Sequence, residues 1–378
     1  MINPAEFIES LQKFGIDFFV GVPDSLLKEL CQTLQHGPHR HMITANEGNA
    51  VAMAIGHHLA TGRHAAVYMQ NSGLGNAINP LVSLAAPEIY RVGMLLIIGW
   101  RGEPGVKDEP QHLLQGQITP ELLKTMRIPF SIIDSNSNSA EIIDELLGNR
   151  RLANGPAALL VRKGTFAAAP ADRSVAAQGD ADDHEIIREN FLEQLLNIVP
   201  GSSLLVATTG FTSRELFELR GRRSEAQRDF LTVGGMGHAS SIALSIAIDR
   251  HDRKVICLDG DGAMLMQLGA LPVIGCGSRP ENYLYLLLNN GMHESVGGQP
   301  TIAGQIDISR MAEAFGFRRF FSVSRRQDVG PMLKDACNTT GPVFFEVILK
   351  PGTRKDLGRP TQTPEENKYD FMRFISGH

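Results

Sequence analysis

A chain of 378 residues, 43% hydrophobic and 20% charged with a formal net charge of −5, is long enough for two domains, each with its own core. The mildly acidic balance excludes the basic footprint of a nucleic-acid-binding protein, and no apolar run reaches the length that spans a bilayer. The start, Met1-Ile2-Asn3-Pro4-Ala5-Glu6, lacks the charged lead and apolar run of a signal peptide, so the expectation is a cytoplasmic enzyme without nucleic-acid or membrane partners. Cys31, Cys257, Cys276 and Cys337 are scattered without metal-ligand spacing, and Cys257 reads as core packing inside an apolar run.

Asn3 as cap, Pro4 at the first helical position and apolar Phe7, Ile8 and Leu11 predict a helix over 3–14. A strand over Phe18-Phe19-Val20 leads through Gly21-Val22-Pro23 to Asp24 and Ser25 and a helix from Leu26. Asp24 and Ser25 stand at a strand end, where capping and functional roles are both open. The stretch Thr44 to Gly56 is a helix rich in small residues, with Glu47 in its first turn, where the macrodipole favours a negative charge. After a strand over Ala65 to Met69, Gly73 and Gly75 lie in a loop that suits either close approach of a ligand or a helix entry. Val92 to Ile98 has the continuous apolar run of a parallel strand buried on both faces. It opens into a long polar loop, Gly99 to His112, containing Arg101 and Lys107, and such loops are disproportionately functional. A strand over Ile128 to Asp134, a helix over Ser139 to Arg150, Asn154-Gly155-Pro156 and a strand over Ala157 to Val161 complete the first half.

Between Ala167 and Asp183, Ala, Pro, Gly and Asp replace the apolar periodicity. The expected domains are therefore 1–166 and 184–378, joined by a linker over 167–183. The second half begins with a helix from about Asp183 to Ile198 and a strand over Ser203 to Ala207, followed by Thr208-Thr209-Gly210, whose hydroxyls suit a helix cap or a phosphate. Next comes Val233-Gly234-Gly235-Met236-Gly237-His238. Near the end, the strand Phe320 to Val323, the helix around Pro331 to Cys337, Gly341-Pro342 and the strand Val343 to Leu349 repeat the close of the first half. The two Gly-Pro steps are 186 residues apart, which argues for two α/β domains of one topology, each built on a parallel sheet.

The most informative stretch is Lys254 to Gly298, a strand–turn–helix–strand unit. Its first strand runs into Asp259-Gly260-Asp261-Gly262-Ala263, where two glycines let the chain turn sharply and present N–H groups to an anion. A carboxylate there repels a phosphate unless a hard cation stands between them. The second strand, Tyr283 to Leu288, ends in Asn289-Asn290, and a parallel sheet places both strand ends on one edge. Gly260-Asp261-Gly262, 26 intervening residues and Asn289-Asn290 resemble the metal–diphosphate motif of thiamine diphosphate enzymes. Asn46-Glu47-Gly48-Asn49-Ala50 resembles the helix whose glutamate hydrogen-bonds N1′ of that cofactor's aminopyrimidine.

The resemblance covers essentially the whole chain. It implies two similar domains of the thiamine diphosphate-binding fold without the central third domain of larger relatives, with Mg²⁺ held by Asp261, Asn290 and the main-chain carbonyl of Met292. It also implies cofactor contacts from Thr209, Gly234, Gly262 and Ala263. Met236 matches the apolar wedge that holds the cofactor's rings in a V, though a core methionine at a helix start accounts for it too. The two-domain build, the Gly99 to Gly105 loop and the stretch Asn290 to Thr301 resemble decarboxylases acting on 2-oxo acids with a phosphonate or sulfonate at C3. Glu47 is then the catalytic acid–base group, with Asp24, His112 and His293 as candidates for later proton steps. Ser25, Arg101, Lys107 and Gln299, together with His293, are candidates for the anionic substrate. Carboligation, oxidative coupling to an iron–sulfur partner and non-catalytic diphosphate binding remain as alternatives, and the absence of clustered cysteines argues against an internal cluster. The resemblance further implies a homodimer or larger homo-oligomer, with the Glu47 side and the Asp261 side of each site coming from different subunits.

Overall fold

The computed structural model describes residues 1–148, 152, 155–168 and 185–377. The chain divides into two compact units, Met1–Ala176 with Val296–Gln299, and Ala177–Ser295 with Pro300–His378. The expected linker over 167–183 lies almost wholly outside the described residues.

The first unit is one parallel sheet of β1 (Ile16–Gly21), β2 (Arg40–Ile43), β3 (His64–Gln70), β4 (Met94–Gly99), β5 (Phe130–Ile133) and β6 (Ala157–Val161). Its spatial order is β2-β1-β3-β4-β6-β5. The second contains β7 (Leu204–Ala207), β8 (Phe230–Leu231), β9 (Val255–Gly260), β10 (Tyr283–Asn289), β11 (Met292–His293), β13 (Arg319–Val323) and β14 (Val343–Ile348); the two-residue strand β12 (Gln299–Pro300), paired with β11, takes its first residue from the stretch counted with the first unit. The large sheet of the second unit runs β13-β14-β10-β9-β7-β8. Read from the other edge, with strands counted from each unit's own first, the two orders are identical. The expected duplication of one α/β topology is thus present.

Central strands explain themselves chemically. Every residue of β4 and of β10 is buried, which requires apolar side chains on both faces of the sheet. In the first unit Phe7, Ile8 and Leu11 of the helix Pro4–Gln12 pack on one face, and Ala50, Val51 and Ala54 of the helix Glu47–Thr61 on the other. Small residues on that second helix let its backbone ride close to the sheet. Asn3 caps Pro4–Gln12 by accepting from Ala5 N at 2.9 Å.

Several boundaries differ from expectation. The second helix begins at Lys28, and the side chain of Asp24 accepts from Leu26 N at 2.9 Å, so it closes the turn before the helix instead of capping it. Gly73 and Gly75 lie in a 3₁₀ turn, Asn71–Gly73, and the helix Leu74–Pro80. Pro110 starts a helix over Pro110–Thr125, because a proline suits the first helical position. That places His112 on the helix and shortens the polar loop. The helix expected over 139–150 is seen as Ser139–Leu147, its last two residues lying outside those described. The helix expected from Asp183 runs from Arg188 to Ile198.

Candidate active site

In the first unit the functional candidates gather at the carboxyl ends of four contiguous strands, β2, β1, β3 and β4. Asn46 caps the helix that follows β2, its side chain accepting from Gly48 N at 2.8 Å, which leaves Glu47 in the first turn. Glu47 is 5% exposed, and burial raises its carboxyl pKa above the ordinary value while a hydrogen bond from Asn76 opposes the rise. The Asn76 amide donates to Glu47 Oε2 at 2.8 Å. On the other side, a methyl group at Gly73 would stand 2.4 Å from Glu47 Oε1. The carboxyl is therefore held between an amide donor and a glycine.

Asp24, fully buried, lies against the end of β4, where a Cβ on Gly99 would come within 2.1 Å of Asp24 Oδ2. Its Oδ1 has no hydrogen-bond partner. Burial pushes the carboxyl up to about 6, against the pull of Leu26 N and the Arg101 charge. Arg101 Nη1 donates to Ser25 Oγ at 3.1 Å, and its other two nitrogens bind Asp108 at 2.8 and 2.5 Å. Burial raises the Asp108 pKa, but the Arg101 fork and the N–H groups of Glu109 and Gly102 outweigh it and hold the carboxyl well below the usual range. Asn71 clamps the Arg101 main chain, accepting from its N at 3.1 Å and donating to its O at 2.9 Å. The loop is thus anchored at Arg101, while Lys107 is exposed. His112 is 9% exposed on its helix.

In the second unit the candidates share the carboxyl edge of four contiguous strands, β10, β9, β7 and β8. Thr209 follows β7, Gly234 and Met236 follow β8, Asp261, Gly262 and Ala263 follow β9, and Asn290 and Met292 follow β10. Asp261 is 2% exposed. Its carboxylate accepts from Thr301 Oγ1 and from the main-chain N–H of Gly262 and Asn290; burial still raises its pKa above the ordinary value. A Cβ at Gly262 would meet the His293 ring at 2.9 Å and Met236 Cε at 3.5 Å. His293 and Met236 therefore flank the Gly-Asp-Gly turn. Burial holds His293 neutral, its pKa lowered to about 4.

Glycine at 262 lets the His293 ring approach the turn beside Asp261 more closely than any larger residue would allow. The donors at this edge, one carboxylate, one amide oxygen and one main-chain carbonyl, are hard oxygens suited to Mg²⁺, and they leave coordination positions for the oxygens of a diphosphate. Among the described residues no group of three His, Cys, Asp or Glu could hold a metal ion. The residues present fit the metal and the diphosphate.

Residues that sequence reasoning passed over also act here. Asn76 braces Glu47, Thr301 braces Asp261, and Asp259 stands behind the turn, with Tyr285 Oη donating to it at 2.9 Å. Among the described residues no helix is long and apolar enough to cross a membrane.

Residues 5–124 match the thiamine pyrophosphate enzyme N-terminal binding domain, and residues 210–347 match the C-terminal one. Phosphonopyruvate decarboxylase of Streptomyces viridochromogenes is 34% identical, the match covering 100% of this chain and 96% of that one. The Streptomyces hygroscopicus enzyme of the same name is 35% identical, with coverage of 100% and 94%. Sulfopyruvate decarboxylase of Methanosarcina acetivorans is 28% identical, with coverage of 99% and 98%.

Proposed function

Because the chain belongs to the thiamine pyrophosphate enzymes, as a decarboxylase that uses thiamine diphosphate with Mg²⁺, we propose that its substrate is 3-phosphonopyruvate and its products phosphonoacetaldehyde and CO₂, in a cytoplasmic route of phosphonate biosynthesis. The observation that carries this reading is similarity at 34–35% identity along the whole chain to enzymes of that name. Sulfopyruvate is the second reading, supported by end-to-end similarity at 28%.

When bound, the cofactor's thiazolium accepts the electron pair left as the C–C bond to CO₂ breaks. Glu47 holds the proton at the pyrimidine N1′, and its bracing by Asn76 and Gly73 fixes the geometry that such a positioned acid–base group needs. Asp261, Asn290 and the Met292 carbonyl hold Mg²⁺. Thr209, Gly234, Gly262 and Ala263 contact the cofactor, and Met236 supports its rings. A proton must then be added to the carbon that CO₂ has left. Asp24, His112 and His293 are the groups assigned to that step, and His293, held neutral by burial, must first take up a proton. The anionic end of the substrate is met by Ser25, Arg101 and the exposed Lys107. Gln299 joins them, since it is 1% exposed with neither amide atom paired, and a buried amide without a partner is costly unless a ligand completes it. The active assembly is a homodimer or larger homo-oligomer whose sites form at subunit interfaces.

The test is CO₂ release from phosphonopyruvate, sulfopyruvate and pyruvate, each with and without Mg²⁺ and thiamine diphosphate. Turnover should be fastest with phosphonopyruvate and should need both cofactors. Preference for sulfopyruvate would reverse the order of the two readings.

A further inference from the structure

Of the side chains assigned to the metal, Asn290 alone has two chemically different ends. Its Oδ1 can ligate a cation and its Nδ2 cannot, so the site works in one of two amide orientations. In the structure Nδ2 donates to Glu294 Oε2 at 3.1 Å, while Oδ1 accepts from Met292 N at 3.2 Å. A carboxylate can only accept and a main-chain N–H can only donate, so Glu294 on one side and Met292 N on the other fix the orientation of the amide, and Glu294 is the side-chain partner of the two.

Glu294 is itself held with unusual firmness for a residue in a surface turn. Arg188 Nη1 donates to the same Oε2 at 2.6 Å, and Gly352 N donates to Oε1. Arg188 is 6% exposed and bound through its other two nitrogens to Glu215 at 2.8 and 2.9 Å. Thr353 Oγ1 adds a bond to Glu215 at 3.1 Å. Arg188 and Glu215 already form a complete bidentate pair, and a second carboxylate on one guanidinium exceeds what charge balance requires. The extra carboxylate is the one that touches Asn290.

We propose that Glu294 is a positioning residue for the metal, selecting the orientation of the Asn290 amide that leaves Oδ1 to the ion, with Arg188 and Glu215 as the buried clamp that holds it in place. The proposal rests on the reading of Asp261, Asn290 and Met292 as the metal's ligands. Groups that orient ligands in this way typically change metal affinity by roughly 10–100-fold when removed.

The experiment titrates Mg²⁺ at saturating thiamine diphosphate and reads the midpoint of the thermal shift and of the calorimetric binding curve, without turnover. Glu294→Ala should raise the Mg²⁺ midpoint about 10-fold or more, with the melting temperature of the metal-free protein close to wild type. Glu294→Gln keeps the volume of the turn but can present either amide end to Asn290, so it should raise the midpoint too, though less than the alanine does. The decisive comparison places Glu294→Ala in an Asn290→Asp background. An aspartate offers oxygen at both ends and needs no orientation, so the second substitution should then raise the midpoint far less than it does beside Asn290, by no more than the lost attraction of a neighbouring negative charge. An equal rise in both backgrounds would mean that Glu294 merely holds the turn together, and no rise in either would remove its role; both outcomes overturn the proposal alone. Wild-type cofactor binding that ignores Mg²⁺ would overturn the ligand reading and the proposal with it.

Discussion

Asn76 donates its amide to Oε2 of Glu47 at 2.8 Å, across 29 residues of sequence. This bond favours the carboxylate and opposes the effect of burial. Removing it should push the Glu47 pKa higher still. Asn76→Ala is expected to lower kcat by up to roughly 100-fold, the low end of what a positioned acid–base group contributes because Glu47 itself remains, and to move the acidic limb of the pH–rate profile to higher pH. An unchanged limb would show that Asn76 does not tune Glu47.

Gly73→Ala tests the same carboxyl from its other side. The added methyl would lie 2.4 Å from Oε1 and 2.5 Å from Cγ of Glu47, a separation that forces the side chain to move. A displacement of about 1 Å costs on the order of 100-fold in rate, and overpacking costs about 1–3 kcal/mol. Steady-state kinetics and thermal melting check both effects, and wild-type kcat in the variant would contradict the geometry.

Asp24 predicts a pH-dependent stability. Its folded pKa is raised from 3.8 to about 6, so its contribution to stability is fully present below about 3.8 and is lost as pH rises through about 6. Above that, the buried charge costs roughly 3 kcal/mol. Asp24→Asn mimics the neutral form. It should melt several degrees above wild type at pH 8 and close to wild type at pH 4 while losing activity. A difference that is the same at both pH values would rule out Asp24 as its origin.

Asp261→Ala should abolish Mg²⁺-dependent cofactor binding, because few other protein oxygens are available to the ion. In the wild type, thiamine diphosphate should raise the melting temperature only when a divalent ion is present, since a ligand that binds the folded state stabilises it by mass action. An equal shift in chelator would remove the metal from the site.

Mixing Glu47→Gln with Asp261→Ala tests the assembly. If each site draws these residues from different subunits, random pairing makes about half mixed dimers, each with one intact site, and about a quarter of wild-type activity returns. No recovery, with subunit exchange confirmed separately, would mean that each site is built within one chain.

The buried parallel strands were legible because their chemistry is unambiguous: β4, β6 and β10 are apolar on both faces and have no other home. The Gly-Asp-Gly turn and the Asn pair were legible because their spacing carries a mechanism. β2 was not, since a four-residue edge strand, Arg40–Ile43, with alternating exposure leaves no apolar run. The bracing residues were hidden for another reason. Asn76, Thr301 and Arg188 act on residues 29, 40 and 106 positions away, and only folding brings them together. Glu294 did leave a trace, an acid four residues after Asn290, but acids are so common on surfaces that the spacing alone singles out nothing.

Across β9 and β10, Asp259 faces Leu287 and Gly260 faces Leu288. Asp261 and Asn290 therefore stand just past the last aligned rungs of this pair. β10 packs Tyr283, Tyr285 and Leu287 on one side of the sheet and Leu284, Leu286 and Leu288 on the other, so hydrophobic alternation does little to fix its alignment. A slip of one rung would displace Asn290 by about 3.3 Å and turn it to the opposite face. An ion bridging the two strand ends then tolerates only one alignment. On the proposed ligands, cofactor loading would favour the native alignment of β9 and β10 over any slipped one, because only the native pairing brings Asp261 and Asn290 to one ion.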